Sequence, residues 1–152
     1  MLKQLKALLE VSQGSPRVSE MKPEPQVAVC AVLLEVAHAD HDFAEEERHQ
    51  IALLLQHHFD LHADEVEDLM ARAKTERDAM PDLWPFTRAI SQNFSPEEKA
   101  QVLEMVWRVV FADGRLDAYE EQLIRKLETM LAVNHSLVID AKLKARAFQQ
   151  KS

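Results

Sequence analysis

Val106-Trp107-Arg108-Val109-Val110-Phe111-Ala112-Asp113 and Leu33-Leu34-Glu35-Val36-Ala37-His38-Ala39-Asp40 are the two stretches on which the fold turns. Each carries apolar residues at helical spacing and stops at Ala-Asp. Laid over one another at an offset of 73 residues, they bring further positions into register. Phe43 falls on Leu116, Glu47 on Glu120, Ile51 on Ile124 and Leu54 on Leu127. After a one-residue slip, Phe59-Asp60-Leu61 falls on Leu131-Ala132-Val133, and Val66 on Val138. Similarity at a fixed spacing marks a duplicated unit, and each unit alone would leave an apolar face bare. Both halves read as helix, acidic loop, helix, short connection, helix. The expected fold is therefore all-α: a helical bundle of two pseudo-symmetric three-helix repeats, about residues 26–79 and 96–149, within a domain spanning 26–149.

Working outward, the apolar positions keep the 3.6-residue period of helices throughout. Val29, Val32, Leu33, Val36 and Ala37 form the first stripe. Ile51, Leu54, Leu55 and Phe59 form the second, behind Glu45-Glu46-Glu47, three carboxylates favoured by the positive end of a helix dipole. Val66, Leu69, Met70 and Ala73 mark a third helix that stops near Pro81. Residues 82–94 suit a short helix with Trp84, Phe86 and Ile90 inward, Pro85 confining regular hydrogen bonding to the residues after it. Ser95-Pro96-Glu97-Glu98 combines an N-cap serine, a proline at the first helical position and a glutamate at the third, a sharp start for the long helix through Phe111. A further helix opens at Asp117 with Leu123, Ile124, Leu127 and Leu131 inward. The last one carries Val138, Ala141 and either Leu143 or Ala145 inward. No stretch alternates with period two over enough residues to demand a strand. Ahead of the repeats, Leu2, Leu5, Leu8 and Leu9 give residues 1–12 an amphipathic helical pattern, and Gly14, Pro16, Pro23 and Pro25 mark residues 13–25 as a linker.

Composition narrows the function. Only Gly14 and Gly114 are glycine, which excludes glycine-rich phosphate cradles and hairpin-rich β folds. The formal net charge of −8 argues against nucleic acid as a partner and favours cations or basic proteins. The single cysteine, Cys30, has no intramolecular disulfide partner and sits in an apolar run, so it reads as a buried small residue and fits a reducing compartment or indifference to redox. No secretory or membrane-spanning pattern is visible, which makes the cytoplasm the expected location. No nucleophile elbow, His-Glu-x-x-His or phosphate loop occurs, so no enzymatic activity is expected.

What the repeat duplicates is chemically specific. Each half places an aspartate where one helix ends and a glutamate seven positions later in the next: Asp40 with Glu47, and Asp113 with Glu120. Their carboxylates can converge across the loop. Asp42 and Asp117 are the second choices as oxygen ligands, and Glu45, Glu46 and Glu121 lie close by. Ca²⁺ or another hard divalent cation takes six to eight oxygens, and carbonyls freed at a helix end supplement carboxylates. Asp42 with Glu45, and Asp117 with Glu120, also fit the capping-box spacing, so the same acidity is open to a purely structural reading. Neither loop follows the EF-hand pattern, because the first lacks its central glycine.

Glu35-Val36-Ala37-His38-Ala39-Asp40 with its following glutamates, and Val110-Phe111-Ala112-Asp113-Gly114-Arg115-Leu116-Asp117-Ala118-Tyr119-Glu120-Glu121, resemble the TerB-like family of tellurite-resistance proteins. The likeness covers roughly residues 26–147, and its best-marked part is the second loop; in the first, His41 stands where the family has glycine. The resemblance implies a two-repeat helical bundle, an acidic surface that binds divalent metal, and a role in the response to tellurite and related chemical stress. It also implies membership of complexes at the cytoplasmic side of the membrane. The competing expectation is a helical protein-interaction scaffold without metal, engaging a protein partner through its acidic surface or residues 1–12.

Two other features carry weaker signals. Six of the seven histidines lie between His38 and His62, and His38 with His41 flanks the first acidic loop, a transition-metal pattern set against solvated helix ends. Lys142, Lys144, Arg146 and Lys151 form a basic C-terminal stretch opposite in sign to the loops, favoured at a helix C-terminus and also suited to partner docking.

Overall fold

Val27 to Leu34 is an unbroken apolar run, and in the computed structural model it forms the middle of the first helix among the described residues, α1 (Pro25–His38). The structure describes residues 23–38, 45–113 and 118–151, apart from the side chains of His38, Asp113, Tyr119 and Lys151. Six helices follow α1: α2 (Glu45–Phe59), α3 (Ala63–Asp78), α4 (Trp84–Asn93), α5 (Pro96–Asp113), α6 (Ala118–Leu131) and α7 (His135–Lys151). Among the described residues there is no strand, and no helix is long and apolar enough to cross a membrane. The expected helix at residues 1–12 and most of the expected linker lie outside the described residues. The end of that linker differs from expectation, because Pro25 is already the first residue of α1, where its fixed φ and missing N–H cost nothing.

α1 carries more than the one stripe its spacing suggests. Every residue from Val27 to Ala37 except Glu35 is buried. The reason is position: α1 packs against α2, α3, α4, α5 and α6, and a helix surrounded on all sides is apolar all round. Glu35 is tolerated there because Arg77 of α3 grips it with two hydrogen bonds, from Nε at 3.0 Å and Nη2 at 3.2 Å. The same guanidinium donates to the Met80 carbonyl at 3.1 Å, fastening the turn that leads to α4.

The remaining helices close around α1. α5 and α7 form the most extensive pair, with Ala141 and Ala145 buried and Leu143 left outside. Small side chains let the two backbones approach closely, which resolves the choice between Leu143 and Ala145. α4 packs against both α1 and α6. Its Pro85 sits in the first turn, and the Trp84 N–H donates to Asp82 Oδ1 at 2.7 Å. Phe86 and Ile90 are buried as expected, whereas Trp84 is 45% exposed, with the Arg88 guanidinium 5.0 Å from its ring centroid.

Helix boundaries follow sequence chemistry. The Ser95 N–H donates to Glu98 Oε1 at 2.9 Å, and the Glu98 N–H donates to Ser95 Oγ at 3.2 Å, so the capping box at the head of α5 is formed in both directions. α2 and α6 end alike: Asp60 and Ala132 follow their last residues with φ of 53° and 55°. The Leu61 N–H reaches back to the Gln56 carbonyl at 3.0 Å, and the Ala132 N–H to the Thr129 carbonyl at 3.2 Å. Each helix thus shows one of the two bonds of the Schellman ending, the outer one after α2 and the inner one after α6, with a left-handed residue turning the chain away from the helix.

Candidate functional site

The two acidic corners lie where α1 hands over to α2 and where α5 hands over to α6. Asp40, Asp42 and Asp117 lie outside the described residues, and Asp113 is placed as the last residue of α5 without a described side chain. The structure therefore locates two of the six expected ligands in full, Glu47 and Glu120.

Both sit in the first turn of a helix, and the period of that helix decides where they point. Glu120, Ile124, Leu127 and Leu131 follow one another at steps of four, three and four, and the three apolar members are buried. Glu120 thus heads the core-facing stripe of α6 and is itself only 4% exposed. Besides Thr87 it is the only polar or charged side chain buried among the described residues. Thr87 is accounted for locally, its hydroxyl donating to the Trp84 carbonyl at 3.1 Å. Glu47 heads the matching stripe of α2, followed by buried Ile51 and Leu55, but is half-buried.

The neighbouring carboxylates point elsewhere. Glu121 is exposed and accepts from Arg125 Nη2 at 2.7 Å, a pairing within its own helix. Glu45 and Glu46 are exposed in the first turn of α2, where the helix dipole favours negative charge. Arg48, next to Glu47, reaches α3 instead and donates to both oxygens of Glu67, at 3.1 and 2.6 Å. Among the described residues, the acids near the corners thus fall into two groups: Glu45, Glu46 and Glu121 on the surface, and Glu47 and Glu120 on the inner faces.

The described histidine side chains do not assemble a metal site. Among the described residues no group of three or more His, Cys, Asp or Glu side chains stands close enough to hold a metal ion. His62 precedes α3, where its backbone N–H donates to Glu65 Oε1 at 3.0 Å. His58 packs edge-on against Phe59, with centroids 4.7 Å apart, beside a cleft of about 380 Å³ between α2 and α5. Burial holds the His58 imidazole below its ordinary pKa; Glu98 and Glu104 act against that shift and His57 with it. His41 lies outside the described residues, and the side chain of His38 is not described. Cys30 is fully buried, and burial pushes its thiol up to about 12, so it is an inert core residue.

Two features escaped sequence reasoning. A groove of about 720 Å³ runs along α3 beside the Glu35–Arg77 pair, lined by Leu34, Arg48, Met70, Lys74 and Met80 among others. Its partners lie 42 positions apart, which no local spacing reveals. The second is the outer face of α7, where Ile139 and Leu143 stand exposed among cations.

A family model described as "Tellurite resistance protein TerB" matches residues 26–143. No curated protein and no solved structure gives a significant match.

Proposed function

The chain belongs to the TerB family, and on that premise we propose that it works as a non-catalytic acidic module that binds a divalent cation, Ca²⁺ foremost, at its helix-loop-helix corners. We place it in the response to tellurite and related chemical stress. The observation that carries the proposal is Glu120: a carboxylate turned onto the core stripe of α6, three positions after Asp113-Gly114-Arg115-Leu116-Asp117. Asp113 and Asp117 in the preceding stretch, with Glu120 on that stripe, are the oxygen-bearing residue types that a hard divalent cation takes. Asp113, Asp117 and Glu120 would supply its carboxylates. Asp40, Asp42 and Glu47 form the matching set of the first corner.

A two-repeat arrangement underlies this reading. It is supported by the left-handed residues Asp60 and Ala132, which fall on one another in the sequence register, and by buried Ile51 and Ile124, and Val66 and Val138, at matched positions. The interaction-scaffold reading draws its own support from the exposed Ile139 and Leu143 on α7.

Isothermal titration with Ca²⁺, Mg²⁺ and Zn²⁺, paired with thermal denaturation, tests the cation reading. A cation that binds only the folded state raises its stability by about 2.7 kcal/mol at a hundredfold excess over Kd. Glu120→Gln is expected to abolish that rise at the second corner while leaving the first corner's response intact. Absence of heat and of thermal stabilisation at millimolar concentration of all three ions would sink the proposal.

A further inference from the structure

α3 and α7 turn outer faces of opposite chemistry to solvent. On α7, Ile139 and Leu143 stand one turn apart at 44% and 54% exposure, and exposed Ala147 continues the strip. Exposed Lys144 borders it on one side. On the other, Lys142 and Arg146 lie over the rings of Trp107 and Phe111, at 4.8 and 5.6 Å from their centroids, which holds both cations along the helix edge.

On α3, Asp64, Asp68, Ala71 and Thr75 are all exposed and share one face at steps of four, three and four. Asp64 and Asp68 make no ion pair among the described residues, unlike Glu67 beside them, which is held by Arg48. Ala71 and Thr75 offer low relief, because the Thr75 hydroxyl folds back to donate to the Ala71 carbonyl at 3.0 Å. The ridge is therefore a shallow, partly apolar seat with two free carboxylates at one end. α3 packs on α1 and α2 while α7 packs on α5, so the two faces are not packed on one another within the molecule.

We propose that the α7 strip of one copy docks on the α3 ridge of a second copy, head to tail. Ile139 and Leu143 cover Ala71 and Thr75, and Lys142, Lys144 and Arg146 meet Asp64 and Asp68. The proposal is independent of cation binding at the acidic corners. Two other occupants fit less well. Residues 1–12 carry Lys3 and Lys6 beside their leucines, like in sign to the strip. An anionic bilayer would face exposed Asp140 on α7 itself and a chain of net charge −8. A contact between two different faces leaves one free face on each copy, so it extends past a dimer unless it closes into a ring. One helix face per copy buries little area, and the contact is correspondingly weak and salt-sensitive.

Sedimentation equilibrium of the full chain tests this, from about 1 µM to about 1 mM, at low salt and at about 1 M NaCl, where the screening length falls to about 3 Å. Asp64→Lys with Asp68→Lys removes the acidic seat, and Leu143→Asp with Lys144→Glu removes the strip. All four positions are exposed, and circular dichroism verifies that both variants keep the wild-type helical signal and melting transition. At low salt the wild-type average mass is expected to rise past that of two chains, and at high salt to fall back to one. Each variant alone stays at one chain. Their equimolar mixture recovers two, since one supplies the intact strip and the other the intact seat. A wild type that stays monomeric throughout overturns the proposal. So does a seat variant that associates like the wild type, a mixture that remains at one chain, or a monomeric wild type that co-sediments with phosphatidylserine vesicles.

Discussion

Ala132→Gly is expected to stabilise a protein in which nearly every other glycine substitution should do harm. Ala132 holds φ at 55° immediately after α6, in the region where the Cβ of an L-residue crowds its own backbone. That conformation costs roughly 1–2 kcal/mol for an ordinary residue and nothing for glycine. Against this, glycine makes the unfolded chain more flexible, a loss of about 0.4–1 kcal/mol. Ala132 is exposed, so its methyl contributes little packing. The net gain is about 0.5–1 kcal/mol, or a rise of roughly 1–4 °C in Tm for a chain of this size. Ala79→Gly is the control: Ala79 ends α3 at φ −81° and ψ −8°, where glycine relieves no strain, and the substitution is expected to cost about 0.5–1 kcal/mol. Asp60→Gly should fall between the two, because aspartate tolerates the left-handed region better than alanine. Urea titration followed by circular dichroism reads all three, with the m-value unchanged so that the midpoint reports stability. If Ala132→Gly lowers the midpoint as far as Ala79→Gly does, the left-handed ending of α6, and its match to α2, is wrong.

Ser95→Ala removes one half of the capping box and should cost about 1 kcal/mol by the same titration. The Ser95 backbone N–H, and then its hydroxyl, hold the Glu98 carboxyl below its ordinary range. The cap's charged contribution is thus present above the usual carboxylate pKa and lost as pH falls through the depressed one, so an acid titration of stability should be shallower in Ser95→Ala than in wild type. Cys30 should resist a small alkylating reagent in the native state and react fully in denaturant; because its folded pKa is raised from 9.0 to about 12, stability should decline as pH climbs through that window, and native labelling at neutral pH would contradict its burial. His58 is shifted the other way: below its ordinary value the unfolded chain takes up a proton that the buried imidazole resists, so stability falls on acidification. His58→Gln should flatten the loss of Tm between about pH 7.5 and about pH 5.5, and an unchanged profile would show that burial at His58 does not govern it.

The parts of the fold legible in the sequence are those whose chemistry is local. Ser95-Pro96-Glu97-Glu98 announces the head of α5 because all members of its hydrogen-bond set lie within four residues. The ends of α2 and α6 become visible only by comparing halves, since neither Asp60 nor Ala132 is the glycine usually found there. Features that depend on partners far along the chain are understated by spacing alone. Periodicity predicts one buried stripe on α1, yet the helix is buried almost all round, as the unbroken run from Val27 to Leu34 already hints. Glu35 inside that helix is intelligible only once Arg77 is known to face it. Residue type places Trp84 inward, but at the head of α4 its ring lies on the outer side under Arg88. At the corners, the repeat register already sets Glu47 and Glu120 apart from Glu45, Glu46 and Glu121, and the phase of each helix against its packed face supplies the physical difference: only these two lie on inner faces.

That separation bears on whether the acidic corners merely start helices. A helix start asks for carboxylates near the exposed N–H groups of its first turn, and exposed side chains suffice. α6 already has one in Glu121, which spends its charge on Arg125 within the helix. Glu120 is buried in line with Ile124 and Leu127, a placement that dipole compensation does not require. At the matched position of α2, Glu47 is only half-buried, and the loop before it carries His41 where the second loop has Gly114. The deeper carboxylate thus accompanies the loop whose sequence keeps its glycine. On the proposed cation reading, the second corner would hold its ion more tightly than the first, and Glu120→Gln would then lower cation affinity more than Glu47→Gln does.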